Sequence, residues 1–310
     1  MSGFKRSCLV LWMVALVILG SPMGKPMRAA EAEQVQWIDL GDARMPESVA
    51  SPSAAPEPET AASSDPAAEP SAAAPKASPQ VSLENLDAVK EGWGQGLQLD
   101  DQNRPVKALD YQEKYGGLGG LFIGAGKKVY LTFDEGYENG YTASILDTLK
   151  EKGVRATFFV THDYVKRNPE LVRRIIDEDH ILGNHSWSHP SMPEISEEEA
   201  LLEITKLHDE VLEEYGVSMS LFRPPMGEFS EKTLALAQSL GYRSAFWRYA
   251  YRDWDPENQM GREAAYGKVT DAIHPGAIFL LHAVSKDNAE LLGDFIDEVR
   301  GRGCEVLPLE

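Results

Sequence analysis

The run KKVYLTFDEG, residues 127–136, decides the fold. Positions 129–133 are apolar or β-branched throughout and read as a strand. The strand ends directly in Asp134 and Glu135, which puts two acids at its rim, and Gly136 lets the chain turn there. The same pattern recurs after it. Apolar runs at 157–160, 180–183, 221–223, 244–247, 277–281 and 305–309 read as further strands, and stretches at 143–152, 169–178, 197–215, 232–240 and 288–302 carry helical spacing. Ser196 ahead of Glu197, Glu198 and Glu199 is a helix start with acids in its first turn. Strand and helix in alternation predict an α/β domain on a parallel sheet, and this many repeats predict a barrel or a barrel-like open sheet. Such folds gather their chemistry at the C-terminal ends of the strands.

Six residues of four types meet at that address. Asp134 and Glu135 follow the first strand, His185 and His189 follow 180–183, Arg223 stands before Pro224 and Pro225, and His282 follows AIFLL at 277–281. Each has an ordinary alternative. An Asp at a strand end caps turns, an Arg pairs with surface acids, and a lone His is often a satisfied core residue. His185 and His189 are four apart, which returns both imidazoles to one side and lets them reach one ion. Two imidazoles and a carboxylate suit zinc or a similar borderline ion with a position left open. A second carboxylate and a further histidine are the base and acid that amide hydrolysis needs.

Composition sets the surroundings. The chain has 310 residues, 43% of them hydrophobic, and a formal net charge of −19 without a cluster of Lys and Arg, which excludes a nucleic-acid partner. Cys8 and Cys304 are the two cysteines, too few for a disulfide framework. Lys5 and Arg6 precede an apolar run at 8–20, and Ala30-Glu31-Ala32 follows, so 1–32 is expected to be a signal peptide or a retained N-terminal anchor. Residues 33–82, rich in Ala, Pro, Ser and Glu, are expected to be a disordered linker, and 83–310 the folded domain. The expected location is outside the membrane, in the cell envelope or beyond it.

TFDEG, NHSWSH, RPPMGEF, RDW and LLH, in that order, resemble the five motifs of the polysaccharide deacetylase (NodB-homology) family over roughly 110–309. The resemblance implies a distorted (β/α) barrel, a divalent metal, zinc first with cobalt or manganese as alternatives, and removal of acetyl groups from sugars. It implies Asp134 as general base, Arg223 orienting it, His282 as general acid tuned by Asp253, and His185, His189 and Glu135 as metal ligands. The backbone near Met226 would meet the oxyanion. Two departures stand out. Glu135 replaces a more usual aspartate, and Met226 stands where an aromatic or basic residue is frequent. FDEGYENGYT and HPGAIFLLHAVSKDNAELL further resemble the branch that deacetylates N-acetylmuramic acid in peptidoglycan on the way to the muramic δ-lactam of spore cortex. The partner expected is a peptidoglycan glycan strand, met by a monomer. Deacetylation of N-acetylglucosamine in peptidoglycan or of chitin oligosaccharides is the alternative within the class, and wall-glycan binding without turnover is the alternative outside it.

Overall fold

The computed structural model describes residues 83–310. The expected signal or anchor at 1–32 and the expected linker at 33–82 lie outside the described residues. Among the described residues no helix is long and apolar enough to cross a membrane. The elements run β1 (Glu91–Gly92), α1 (Val106–Tyr115), β2 (Gly120–Leu121), β3 (Lys128–Glu135), α2 (Thr142–Lys152), β4 (Thr157–Val160), α3 (His162–Arg167), α4 (Pro169–Asp177), β5 (Ile181–Asn184), α5 (Glu197–Tyr215), β6 (Leu221–Phe222), β7 (Glu228–Phe229), α6 (Glu231–Ser239), β8 (Arg243–Ala245), α7 (Arg262–Asp271), β9 (Ala277–His282), α8 (Lys286–Gly301) and β10 (Glu305–Leu307).

Eight strands form one parallel sheet in the order β10-β3-β4-β5-β6-β8-β2, with β9 also paired to β3. β9 takes one edge of β3, while β4 and β10 share the other, β4 beside the upper residues and β10 beside the lower. The sheet curls until the segment after β8 meets β9. There Tyr249 bridges Phe279, Arg248 N–H donates to the Ile278 carbonyl at 2.6 Å, and Leu280 N–H donates to the Tyr249 carbonyl at 3.1 Å. The result is an α/β fold on a curled parallel half-barrel, in line with the distorted barrel expected. β1 and β7 make a separate antiparallel pair.

Strand parity divides the core. Val129, Leu131 and Phe133 of β3 face outward and pack with Ile145, Leu146 and Leu149 of α2 and Leu291, Leu292 and Phe295 of α8. Tyr130 faces inward with Phe159, Ile181, Leu221, Ala245 and Ile278, which fill the barrel. Each fully buried Leu, Ile or Phe contributes about 1.5–3 kcal/mol, so the helices are held on mainly by this outer layer. β3 itself runs through Asp134 and Glu135, two residues past its expected end, and this decides where the two acids point.

Candidate active site

Asp134 is the last inward residue of β3 and the cross-strand partner of His282 on β9. Arg223, at the end of β6, is fully buried. Its Nη1 donates to Asp134 Oδ1 at 2.6 Å, its Nε donates to the Ala245 carbonyl at 3.3 Å, and its guanidinium lies 4.1 Å over the Phe159 ring. Burial pushes the Asp134 carboxyl up, but Arg223 first, then His185 and His282, outweigh it and hold the group below its ordinary range. Asp134 is therefore a carboxylate, with Oδ2 3.5 Å from His185 Nε2.

His185 follows β5. Its Nδ1 lies 2.9 Å from the Arg223 carbonyl. A carbonyl only accepts, so Nδ1 carries the proton and Nε2 keeps its lone pair on the Asp134 side. The His189 ring lies 4.7 Å from that of His185 at 81°. The loop between them is tied down by Asn184 Oδ1, which accepts from Ser186 N–H at 2.9 Å, and by Ser186 Oγ, which accepts from His189 N–H at 2.9 Å. Ser186 and His189 take positive φ of 70° and 60°, and Met226 on the neighbouring turn takes 58°, a concentration of left-handed non-glycine residues around one site. Burial pushes both imidazoles down, His189 to about 3.

Neutral imidazoles are the form that ligates metal, so this pair fits a borderline divalent ion at two positions. The third expected ligand, Glu135, is not brought to them. Adjacent strand residues face opposite sides, and because β3 still pairs at Glu135 with Val160, the side chain falls outside the barrel. It is wholly buried there, with neither carboxylate oxygen hydrogen-bonded. Burial, then the charges of Glu138 and Asp134, push its carboxyl well above the usual range. Among the described residues no group of three His, Cys, Asp or Glu side chains is arranged to hold a metal.

On the other side of Asp134, His282 Nδ1 lies 2.8 Å from Asp253 Oδ1, and His282 N–H donates to Asp253 Oδ2 at 2.8 Å. Burial opposes protonation of the ring, but the charge and hydrogen bond of Asp253, with Asp134 behind them, hold its pKa above the ordinary value. Asn288 completes the arrangement. Its Nδ2 donates to Asp253 Oδ2 at 2.6 Å and to the His282 carbonyl at 3.1 Å. The motif reading did not single out Asn288. A buried amide in the first turn of α8, three residues after the capping Ser285, is the signal that marks it. Tyr137 Oη, which donates to the Trp254 carbonyl at 3.1 Å, ties the loop after β3 to the one carrying Asp253.

Residues 124–245 match the family described as polysaccharide deacetylase. The peptidoglycan-N-acetylmuramic acid deacetylase PdaA of Bacillus subtilis is 46% identical over 57% of this chain and 68% of its own length. The solved structure of Bacillus subtilis PdaA, a family 4 carbohydrate esterase, superposes with a TM-score of 0.67 at 38% identity, covering 72% of this chain and 96% of that one. A family 4 carbohydrate esterase from Bacillus anthracis superposes with a TM-score of 0.59 at 41% identity, over 72% and 95% of the two chains.

Proposed function

The chain belongs to the polysaccharide deacetylase family, and on that premise we propose that it hydrolyses the acetamide of N-acetylmuramic acid in peptidoglycan glycan strands. The observation that carries the reading is the pair on β3 and β9, a carboxylate fixed by Arg223 beside an imidazole fixed by Asp253. Amide hydrolysis needs a base to take a proton from water and an acid to give one to the departing nitrogen. Asp134 takes the first role through Oδ2. His282 takes the second, because Asp253 occupies Nδ1 and leaves Nε2–H to be given up. Arg223 keeps Asp134 ionised and aimed, and the 225–227 turn offers the Met226 N–H to the developing oxyanion, since Pro225 has no N–H and that of Gly227 donates to the Pro224 carbonyl. His185 and His189 would hold a divalent ion, zinc before cobalt or manganese, which when bound supplies Lewis-acid polarisation of the acetyl carbonyl.

Similarity to a deacetylase named for N-acetylmuramic acid favours that sugar over N-acetylglucosamine. The freed amine then stands beside the lactyl carboxyl of the same ring, and closure between them with loss of water gives the δ-lactam of spore cortex. The charged start and apolar run at 8–20 support export, with a membrane tether if that segment is retained. The domain would meet its glycan as a monomer.

The test is acetate release from peptide-stripped peptidoglycan, compared with chitin oligosaccharides. Release confined to the former is expected, and undiminished release by Asp134→Asn would sink the mechanism. The outward turn of Glu135 favours one rival, a wall-binding protein without turnover. That rival requires glycan binding with no acetate released in the presence of zinc, cobalt or manganese.

A further inference from the structure

Residues 87–93 form a strap against the chain that leaves the Met226 turn. β1 pairs antiparallel with β7, Glu91 opposite Phe229 and Gly92 opposite Glu228. Lys232 N–H donates to the Asp87 carbonyl at 3.1 Å, and Asp87 N–H donates to Glu231 Oε2 at 3.2 Å. Lys90 bridges Glu228 at 3.2 Å and Glu194, five residues after His189, at 2.7 Å. The Glu91 carboxylate accepts from the hydroxyls of Tyr111, at 2.7 Å, and Tyr115, both on α1. The strap precedes residues 124–245, the stretch that matches the family.

Trp93 ends the strap and touches the turn itself. Its backbone N–H donates to the Gly227 carbonyl at 2.9 Å, and its indole Nε1–H donates to the Trp247 carbonyl at 2.9 Å. The side chain is 7% exposed, with its ring centroid 4.8 Å from that of Phe122, 5.4 Å from Tyr111 and 5.9 Å from Phe246. Gly227 is closed in by the two tryptophans, since a Cβ on it would lie 3.2 Å from the Trp93 Cβ and 2.7 Å from the Trp247 ring. Met226, one residue back, holds a positive φ. A left-handed non-glycine residue costs about 1–2 kcal/mol and persists only where its surroundings over-determine it. Pro224 and Pro225 fix the approach to Met226, and Trp93 fixes the exit.

We propose that Trp93 is a positioning residue that holds the turn so that the Met226 N–H stands where the oxyanion develops, a role that rests on the deacetylase reading. An oxyanion donor acts on charge that appears only in the transition state, so misplacing one lowers kcat and leaves KM nearly alone. The indole suits the task because it is a rigid apolar body with a single donor. One side chain thereby fills the aromatic cluster with Tyr111, Phe122 and Phe246 and spaces Gly227 from the Trp247 backbone.

The test compares the full chain with Trp93→Ala and Trp93→Phe in two measurements. Amide hydrogen exchange followed by NMR reports on the turn without substrate, through the Gly227 N–H that closes it on the Pro224 carbonyl at 3.1 Å. Trp93→Ala should speed exchange at Gly227 about tenfold or more, while the amides that pair β3 with β9 keep their protection. In acetate release from peptide-stripped peptidoglycan, the same variant should lose about 10–10²-fold in kcat with KM within about twofold of the parent. Trp93→Phe keeps a ring in the cluster and loses the indole donor, so it should fall between the parent and Trp93→Ala in both measurements, and it carries the test should Trp93→Ala fail to fold. Unchanged Gly227 exchange, an equal loss of protection in β3, or faster Gly227 exchange with undiminished kcat overturns the proposal. A parent chain that releases no acetate overturns the deacetylase reading instead, and Gly227 exchange then decides by itself whether Trp93 holds the turn.

Discussion

Asp134 and Arg223 depend on each other, because both are buried and each is the other's counter-charge. Asp134→Asn should therefore lower acetate release about 10²–10⁴-fold and cost about 3–5 kcal/mol in urea unfolding by stranding the guanidinium. Asp253 acts on rate through pH. His282 must be protonated to serve as acid, so activity falls as pH rises through its pKa, which Asp253 holds up. Asp253→Asn should move the alkaline limb of the pH–rate profile to lower pH. Glu135 behaves differently. Its carboxyl is held well above the usual range in the fold, so above the unfolded value near 4.5 the unfolded chain binds fewer protons than the native one and stability falls as pH rises. Glu135→Gln removes that loss, and its melting temperature should exceed the parent's by a margin that widens as pH rises above the unfolded value near 4.5, with acetate release retained. Asp134, His185, Arg223 and His282 were legible because each directly follows an apolar run. Glu135 was not, because one residue of strand length decides which face it occupies.

Elements with long, clean patterns could be read before the structure. α5 occupies the expected 197–215, and its start carries the capping box, with Ser196 Oγ accepting from Glu199 N–H at 3.2 Å and Glu199 Oε2 accepting from Ser196 N–H at 2.9 Å. β3 and β9 were evident from continuous apolar runs. α7 was not, since REAAYGKVTD buries only Ala265, Val269 and Thr270 and has Gly267 inside it, which leaves no apolar stripe. β2 is two residues set among glycines and becomes a strand only by pairing with β8, a long-range contact. The turn after β6 shows how tightly short elements are specified. Gly227 has φ of +68°, and a Cβ there would sit 2.7 Å from the Trp247 ring and 3.2 Å from Trp93. Gly227→Ala should cost about 1–3 kcal/mol by urea unfolding, and acetate release should drop with it, because the displaced turn carries Met226.

Across the whole molecule the strands have a working end and a structural end, and buried histidines at the second add to its response to acid. His180 precedes β5, where its Nδ1 accepts from Ala156 N–H at 3.1 Å, and His274 precedes β9. Burial pushes each down to about 4, with Nε2 of both rings sealed and unpartnered. An unfolded histidine titrates near 6.5. Between about pH 6.5 and about pH 4 the unfolded chain therefore binds more protons than the native one, and stability must decline as pH falls through that window. These two groups contribute at most about 2.7 kcal/mol per pH unit, nearer 1–2 with partial access of water to both rings, and His185 and His189, also held down by burial, add to the slope in the same direction. Urea unfolding at a series of pH values measures that slope. His180→Asn keeps an acceptor for Ala156 N–H but cannot take up a proton, so it should flatten the acid slope by His180's own share, at most about 1.4 kcal/mol per pH unit. An unchanged slope in that variant would place the acid sensitivity in other groups, the buried His185, His189 and His274 and the Asp134 carboxylate with its Arg223 partner.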